Sequence, residues 1–209
     1  MHSPPTAQSS HTSRKALRVI ACGALAREIE ALRATSALAH ISLTCLPAIL
    51  HNHPERIAPA VDEAITKAKA DGYRNIFVAY AECGTGGALD TVCERHGVGR
   101  IDGPHCYAFY AGLGTFEAWD EFDAFYLTDF LARQFKAFVV DPLKLDQHPE
   151  LIAMMFKNYK KLVYLEQQRD DELRRKAQDA AEFLGLEYEL RVTGFGELTS
   201  ALETVDHAH

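Results

Sequence analysis

Short runs of apolar residues recur along the chain, separated by stretches in which apolar residues return every third or fourth position. Residues 17–22, 41–46, 75–81 and 98–101 have the first character and read as strands, as do 124–127, 138–140, 162–165 and 188–192. After the first of these, Leu25, Ile29 and Leu32 share one helical face, with Arg27, Glu28 and Glu30 outside it. Residues 54–70 repeat that pattern through Ile57, Val61, Ile65 and Ala68, and Asp71-Gly72 supplies a helix end. Further helices are predicted at 88–96, 130–135, 149–159 and 170–184, the last closed by Gly185. The unbroken apolar run at 75–81 suits a strand covered on both faces.

Strand–helix alternation at this spacing predicts an α/β fold. Two forms fit: two similar Rossmann-like lobes, or one mostly parallel sheet with helices on both faces. Two short echoes favour lobes. His53-Pro54-Glu55-Arg56-Ile57 resembles His148-Pro149-Glu150-Leu151-Ile152, and Ala24-Leu25-Ala26-Arg27 resembles Phe130-Leu131-Ala132-Arg133. The expected division is a polar disordered arm at 1–15, an α/β domain at 16–200 with lobes about 16–120 and 121–200, and a frayed end at 201–209. The His-Pro-Glu elements are also ordinary helix starts, since proline suits the first turn and glutamate complements the helix dipole. In either form a ligand would sit beyond the carboxyl ends of the strands.

Composition narrows the partners. With 22 Lys+Arg against 29 Asp+Glu, the formal charge of −7 speaks against a nucleic-acid binder. No run approaches the ~18 apolar residues of a membrane span. Val19-Ile20-Ala21-Cys22 imitates a lipoprotein cleavage box, but Arg18 interrupts the apolar stretch a leader needs. Five cysteines do not form an even framework, which fits a reducing cytoplasm.

The chemistry then gathers at three predicted strand ends: Cys22-Gly23, Cys83-Gly84-Thr85-Gly86-Gly87 and His105-Cys106-Tyr107. A thiol before glycine at a strand-to-helix turn has its pKa lowered by helix N–H groups and leaves room for a ligand. Cys22, Cys83 and Cys106 with His105 have the composition of a zinc, iron or iron–sulfur site, if the sheet brings them together. Each is also acceptable as packing, the role expected of Cys45 and Cys93. The alternative reading uses Gly84, Thr85, Gly86 and Gly87 as a nest for a small anion or cofactor without turnover. Pairing Cys22 with Cys83 as acid and base across a cleft resembles cysteine racemases, but both thiols fall in one half. Tyr107, with Phe109, Tyr110, Phe116 and Trp119, either walls a pocket or packs between lobes. Thr128 and Asp129 either face the cleft as substrate contacts or cap the next helix.

Taken together, several short motifs resemble the bacterial and archaeal domain of unknown function 1638 family. They are Cys22-Gly23, Leu46-Pro47, Leu50-His51, Pro54-Glu55, Tyr80, Cys83-Gly84-Thr85-Gly86-Gly87, Arg100-Ile101, His105-Cys106 and Tyr126-Leu127-Thr128. The resemblance runs from about Leu17 to Leu198. It implies no established activity. It implies a neighbourhood, that of corrinoid-dependent methylamine methyltransferase systems, and so methyltransferase partners and a role in one-carbon metabolism. No corrinoid-binding DxHxxG stretch is present, so the chain is not expected to carry that cofactor as a shuttle. The expectation is a cytoplasmic metal-dependent enzyme or accessory factor acting on a small-molecule ligand.

Overall fold

A computed structural model describes residues 17–35 and 37–207. The arm expected at 1–15 lies outside the described residues. The strands form two separate parallel sheets, so the two-lobed form is the one adopted.

In the first lobe the chain runs β1 (Leu17–Cys22), α1 (Ala26–Thr35), β2 (Ser42–Leu46), α2 (Ile57–Ala70), β3 (Asn75–Ala79), α3 (Ala88–His96) and β4 (Gly99–Arg100). The order across the sheet is β2-β1-β3-β4. β1 and β3 are central and almost wholly buried, which is why their sequences show no alternation. The register sets Ala21 against both Cys45 and Ala79, so β1 and β3 end side by side. Helix α2 buries Ile57, Val61, Ile65 and Ala68 against them and carries Lys67 and Lys69 in its last turn, where cations oppose the dipole.

Two short helices, α4 (Ala108–Ala111) and α5 (Leu113–Trp119), lead to the second lobe. There β5 (Ala124–Thr128), α6 (Asp129–Arg133), α7 (Asp141–Leu143), α8 (Glu150–Met155), β6 (Lys161–Glu166), α9 (Asp171–Leu184) and β7 (Glu187–Val192) follow. Its sheet order is simply β5-β6-β7. Asp170 caps α9 by accepting the N–H groups of Glu172 and Leu173 at 2.9 and 3.1 Å, worth about 1 kcal/mol. The two echoed sequences occupy matching places: each Ala-Arg or Leu-Ala-Arg segment opens the helical stretch after its lobe's first strand, and each His-Pro-Glu starts a helical turn.

Three expectations need correction. Residues 138–140 belong to a π-helical turn, Lys136–Val140, instead of a strand. Three apolar residues are too few to separate the two periods, and Val139 and Val140 bury their side chains equally well from the turn. Residues 201–207 of the stretch expected to fray belong to a helix: α10 (Glu197–His207) buries Leu198 and Leu202 in the first lobe's core. Those residues, one helical turn apart, return the chain to the first lobe, so the second lobe ends near Val192. Gly196 makes that return possible, since a Cβ there would collide with the backbone carbonyls of Phe109 and Tyr110. Finally, Cys45 is exposed, because β2 is an edge strand, whereas Cys93 is buried as expected.

Candidate functional site

In the first sheet the chain passes from β1 to β2 on one side, then crosses to β3 on the other. The direction of winding therefore reverses between β1 and β3, the place where open α/β sheets leave a crevice. Cys22 ends β1 there, and Tyr80 and Cys83 follow β3. The segment after β3 is laced to the one after β4: Glu82 N–H donates to the Gly103 carbonyl and Cys83 N–H to that of Pro104, both at 2.9 Å. That lacing carries Cys106 to Cys83, with their sulfurs 3.3 Å apart.

Cys22 belongs to the buried core against which Cys83 and Cys106 both pack. Hydrogen bonding with Cys106 is the largest influence on Cys22 and on Cys83, and lowers the pKa of both. Cys22 gains further from the Ala24 N–H at the start of the next helix, against the cost of burial. Cys106 moves the other way, far upward, because it is the group that keeps its proton and shares it with Cys22 and Cys83. Tyr80 is buried beside them, and its hydroxyl has no hydrogen-bond partner among the described residues. Burial and the neighbouring sulfurs raise its pKa far above the ordinary tyrosine value. Cys83 itself adopts a left-handed backbone, φ 51°, which costs a non-glycine residue roughly 1–2 kcal/mol. Among the described residues no three His, Cys, Asp or Glu side chains stand ready to enclose a metal ion.

His105 makes no hydrogen bond to the sulfurs among the described residues. Its ring stacks on Tyr107, centroids 4.9 Å apart. The glycine-rich turn also has a different employment. The Glu82 carboxylate accepts the Thr85 hydroxyl at 2.8 Å and the N–H groups of Gly84 and Gly87 at 2.8 and 3.2 Å. With Thr85 first and the backbone donors behind it, these bonds bring Glu82 down to about 2. The nest exists, and the chain supplies its own anion.

Thr128 and Asp129 work within the second lobe. The Thr128 hydroxyl accepts the Leu131 N–H at 3.4 Å as the cap of α6. Buried Asp129 accepts the Tyr164 hydroxyl at 2.7 Å and the N–H groups of Gln167 and Gln168 at 3.1 and 3.0 Å. These bonds tie the end of β5 to the end of β6.

Tyr107 is better placed for a ligand. It lines a 640 Å³ cleft between the lobes, together with His51, Asn52 and rings of the second lobe. Burial first, then the charges of Tyr159, Cys83 and Cys106, push its hydroxyl up to about 12. It therefore connects the thiols to the cleft. Phe116 and Trp119 pack on the far side, against Tyr126. Residue types alone do not mark His51 and Asn52 as site residues; the Leu50-His51 motif of the resemblance is their signal in the sequence.

The fold and this crevice define a two-lobed α/β protein with a thiol cluster at the reversal of its first sheet. Over residues 45–202 the sequence matches the family described as protein of unknown function (DUF1638), and the chain belongs to that family. Among curated proteins none matches it. No helix among the described residues is long and apolar enough to cross a membrane.

Proposed function

We propose that the protein is an enzyme or accessory factor built around a thiolate centre, with Cys22, Cys83 and Cys106 as ligands of a soft metal ion such as zinc or iron, or of an iron–sulfur cluster. One observation carries this reading: the Cys83 and Cys106 sulfurs lie 3.3 Å apart at the sheet's reversal, where Cys22 ends β1. Thiolates are preferred ligands of such ions, and a metal held by three of them keeps a position for substrate or water, where it supplies a Lewis acid. Cys22 and Cys83 are already inclined to the thiolate form, so the main cost of binding is the proton on Cys106. Tyr107 lines the cleft and carries His105 stacked on its ring, and we propose His105 as a further ligand or as the group that orients one. On the family's resemblance alone, we place this activity beside corrinoid-dependent methyltransferase systems, with the cytoplasm as its compartment. Five free cysteines suit that compartment.

The test is elemental analysis of protein purified without a histidine tag. About one metal ion per chain is expected, retained in Cys45→Ser and lost in Cys83→Ser. Folded protein that neither contains metal nor takes up cobalt(II) or zinc(II) more tightly than Cys83→Ser would overturn the reading.

A second reading is favoured by the 3.3 Å separation of Cys83 and Cys106, that of a reactive dithiol. The Cys83 thiolate would attack a low-molecular-mass disulfide, releasing one thiol; Cys106 would then displace the second, giving up its proton and closing a Cys83–Cys106 bond. The pair loses two electrons and the co-substrate's sulfurs gain them. Loss of two titratable thiols on treatment with oxidised glutathione, in metal-free protein, distinguishes this from ligation alone.

A further inference from the structure

The cleft between the lobes is more than the thiol centre requires. Its 640 Å³ falls within the roughly 300–1,000 Å³ of small-molecule sites. Its wall combines the segment after β2, through Ile49 to His53, with Tyr107 and the second lobe's rings. Phe125 meets Phe156 and Tyr159 edge to face at 5.3 and 5.6 Å, and Tyr107 stacks on Tyr126 at 5.3 Å. Among the described residues no lysine, arginine, aspartate or glutamate lines it. In a protein with 24% charged residues, that is a local exclusion. The nitrogen-bearing side chains His51, Asn52 and His53 come from one segment of the wall, and the other polar side-chain groups are the hydroxyls of Tyr107, Tyr126 and Tyr159. Asn52 donates across the lobes to the Phe138 carbonyl at 3.3 Å, leaving its own carbonyl oxygen as an acceptor.

We infer that this cleft binds an uncharged, largely aromatic small molecule, its rings between the two lobes and its single hydrogen-bonding end toward His51 and Asn52. The chemistry is one of exclusion as much as attraction. A fixed charge brought among these rings would be desolvated without a partner, whereas flat apolar rings gain from both faces. His51 is exposed at the cleft's mouth; desolvation by the surrounding protein, with His105 beside it, lowers its proton affinity, and its neutral imidazole offers one donor and one acceptor. Because the wall draws on both lobes, the ligand also fastens them together. The inference does not depend on a metal at the thiols.

N-phenyl-1-naphthylamine, a neutral aromatic fluorophore, is a direct probe. We expect saturable binding of one probe per chain, with energy transfer from Trp119, which stacks on the cleft residue Tyr126 at 6.1 Å. Its sulfonated relative, 1-anilinonaphthalene-8-sulfonate, should bind about tenfold or more weakly, because its charge finds no partner. Ile49→Arg, at an exposed wall position that does not endanger folding, should weaken the neutral probe by about tenfold, and Leu143→Arg should do the same. Cys83→Ser should bind it as the unmodified protein does, so failure of the metal reading and failure of this one give different results. Non-saturable binding, equal affinity for the sulfonate, unchanged affinity in both arginine variants, or loss of binding in Cys83→Ser would each overturn the inference.

Discussion

The Cys83 sulfur lies 3.3 Å from that of Cys106, while Cys45 stands exposed on the outer strand of the same sheet. Exposure and reactivity are therefore divided between different thiols. Cys83 is half-buried, but its bond with Cys106 favours the thiolate; desolvation by the surrounding strand, with the charges of Cys22 and Glu30, holds Cys45 above the ordinary thiol value despite its exposure. Alkylation follows the thiolate fraction. At pH 7, in chelator-treated protein, iodoacetamide should modify Cys83 at least about threefold faster than Cys45. As pH rises the difference in thiolate fraction narrows and access counts for more, so the preference for Cys83 should shrink. Cys106→Ser should slow Cys83 at pH 7. Peptide mass spectrometry of timed samples reads all three outcomes.

Glu82 gives a pH signature. Its carboxyl falls from the ordinary 4.5 to about 2 in the folded protein. A depressed carboxylate contributes stability that is present above its unfolded pKa and is lost as pH falls through the folded one. Glu82→Ala should lose roughly 1–2 kcal/mol at pH 7, the worth of its hydrogen bonds to Thr85 and the glycines. The difference between the two proteins should shrink progressively from about pH 5 toward pH 2. Urea denaturation across that range measures it. The vacated nest should also gain affinity for inorganic phosphate, visible as a thermal shift in the variant alone.

The positions of the three thiols were legible in the sequence because each follows a short apolar run and two precede glycine. That combination marks strand ends in an α/β chain whatever the order of the strands. What was not legible depends on order or on local side-chain choice. Cys45 has the neighbours of a core strand, and only the topology places β2 at an edge. Glu82 carries no periodic signal, since its partners are the turn it belongs to. Thr128 and Asp129 are equally suited to a cleft and to a cap, and the partner that decides, Tyr164, lies in a later strand. Leu198 and Leu202 did carry the helical spacing of α10, but they sit next to a polar tail that masks it.

Glu28 should show the opposite sign to Glu82. It is buried at 4% exposure, and one carboxyl oxygen has no hydrogen-bond partner among the described residues. Burial, reinforced by Asp129, raises its pKa. Its ionisation in the folded state is therefore penalised. The penalty is absent below the unfolded pKa and grows as pH rises from there toward the folded value. Glu28→Gln, which keeps the shape without the charge, should be about 1 kcal/mol more stable than the original at pH 7. That advantage should vanish near pH 4. Denaturation midpoints at the two pH values test it, and equal stability at pH 7 would refute it.

Asp129 decides whether the end of β5 serves the cleft or the frame. Its oxygens hold the Tyr164 hydroxyl and two backbone N–H groups, all within 3.1 Å. Asp129→Ala strands those buried donors and should cost about 3 kcal/mol, whereas Tyr164→Phe, which removes one neutral donor, should cost about 1 kcal/mol. The two groups share a bond, so the double variant should be less damaged than the sum, by about 1 kcal/mol. Thr128→Ala should cost no more than about 1 kcal/mol, because its capping bond is long at 3.4 Å. Substrate contacts would behave otherwise. Their removal would weaken ligand binding while leaving denaturation unchanged, and an Asp129→Ala protein of undiminished stability would return Asp129 to the cleft.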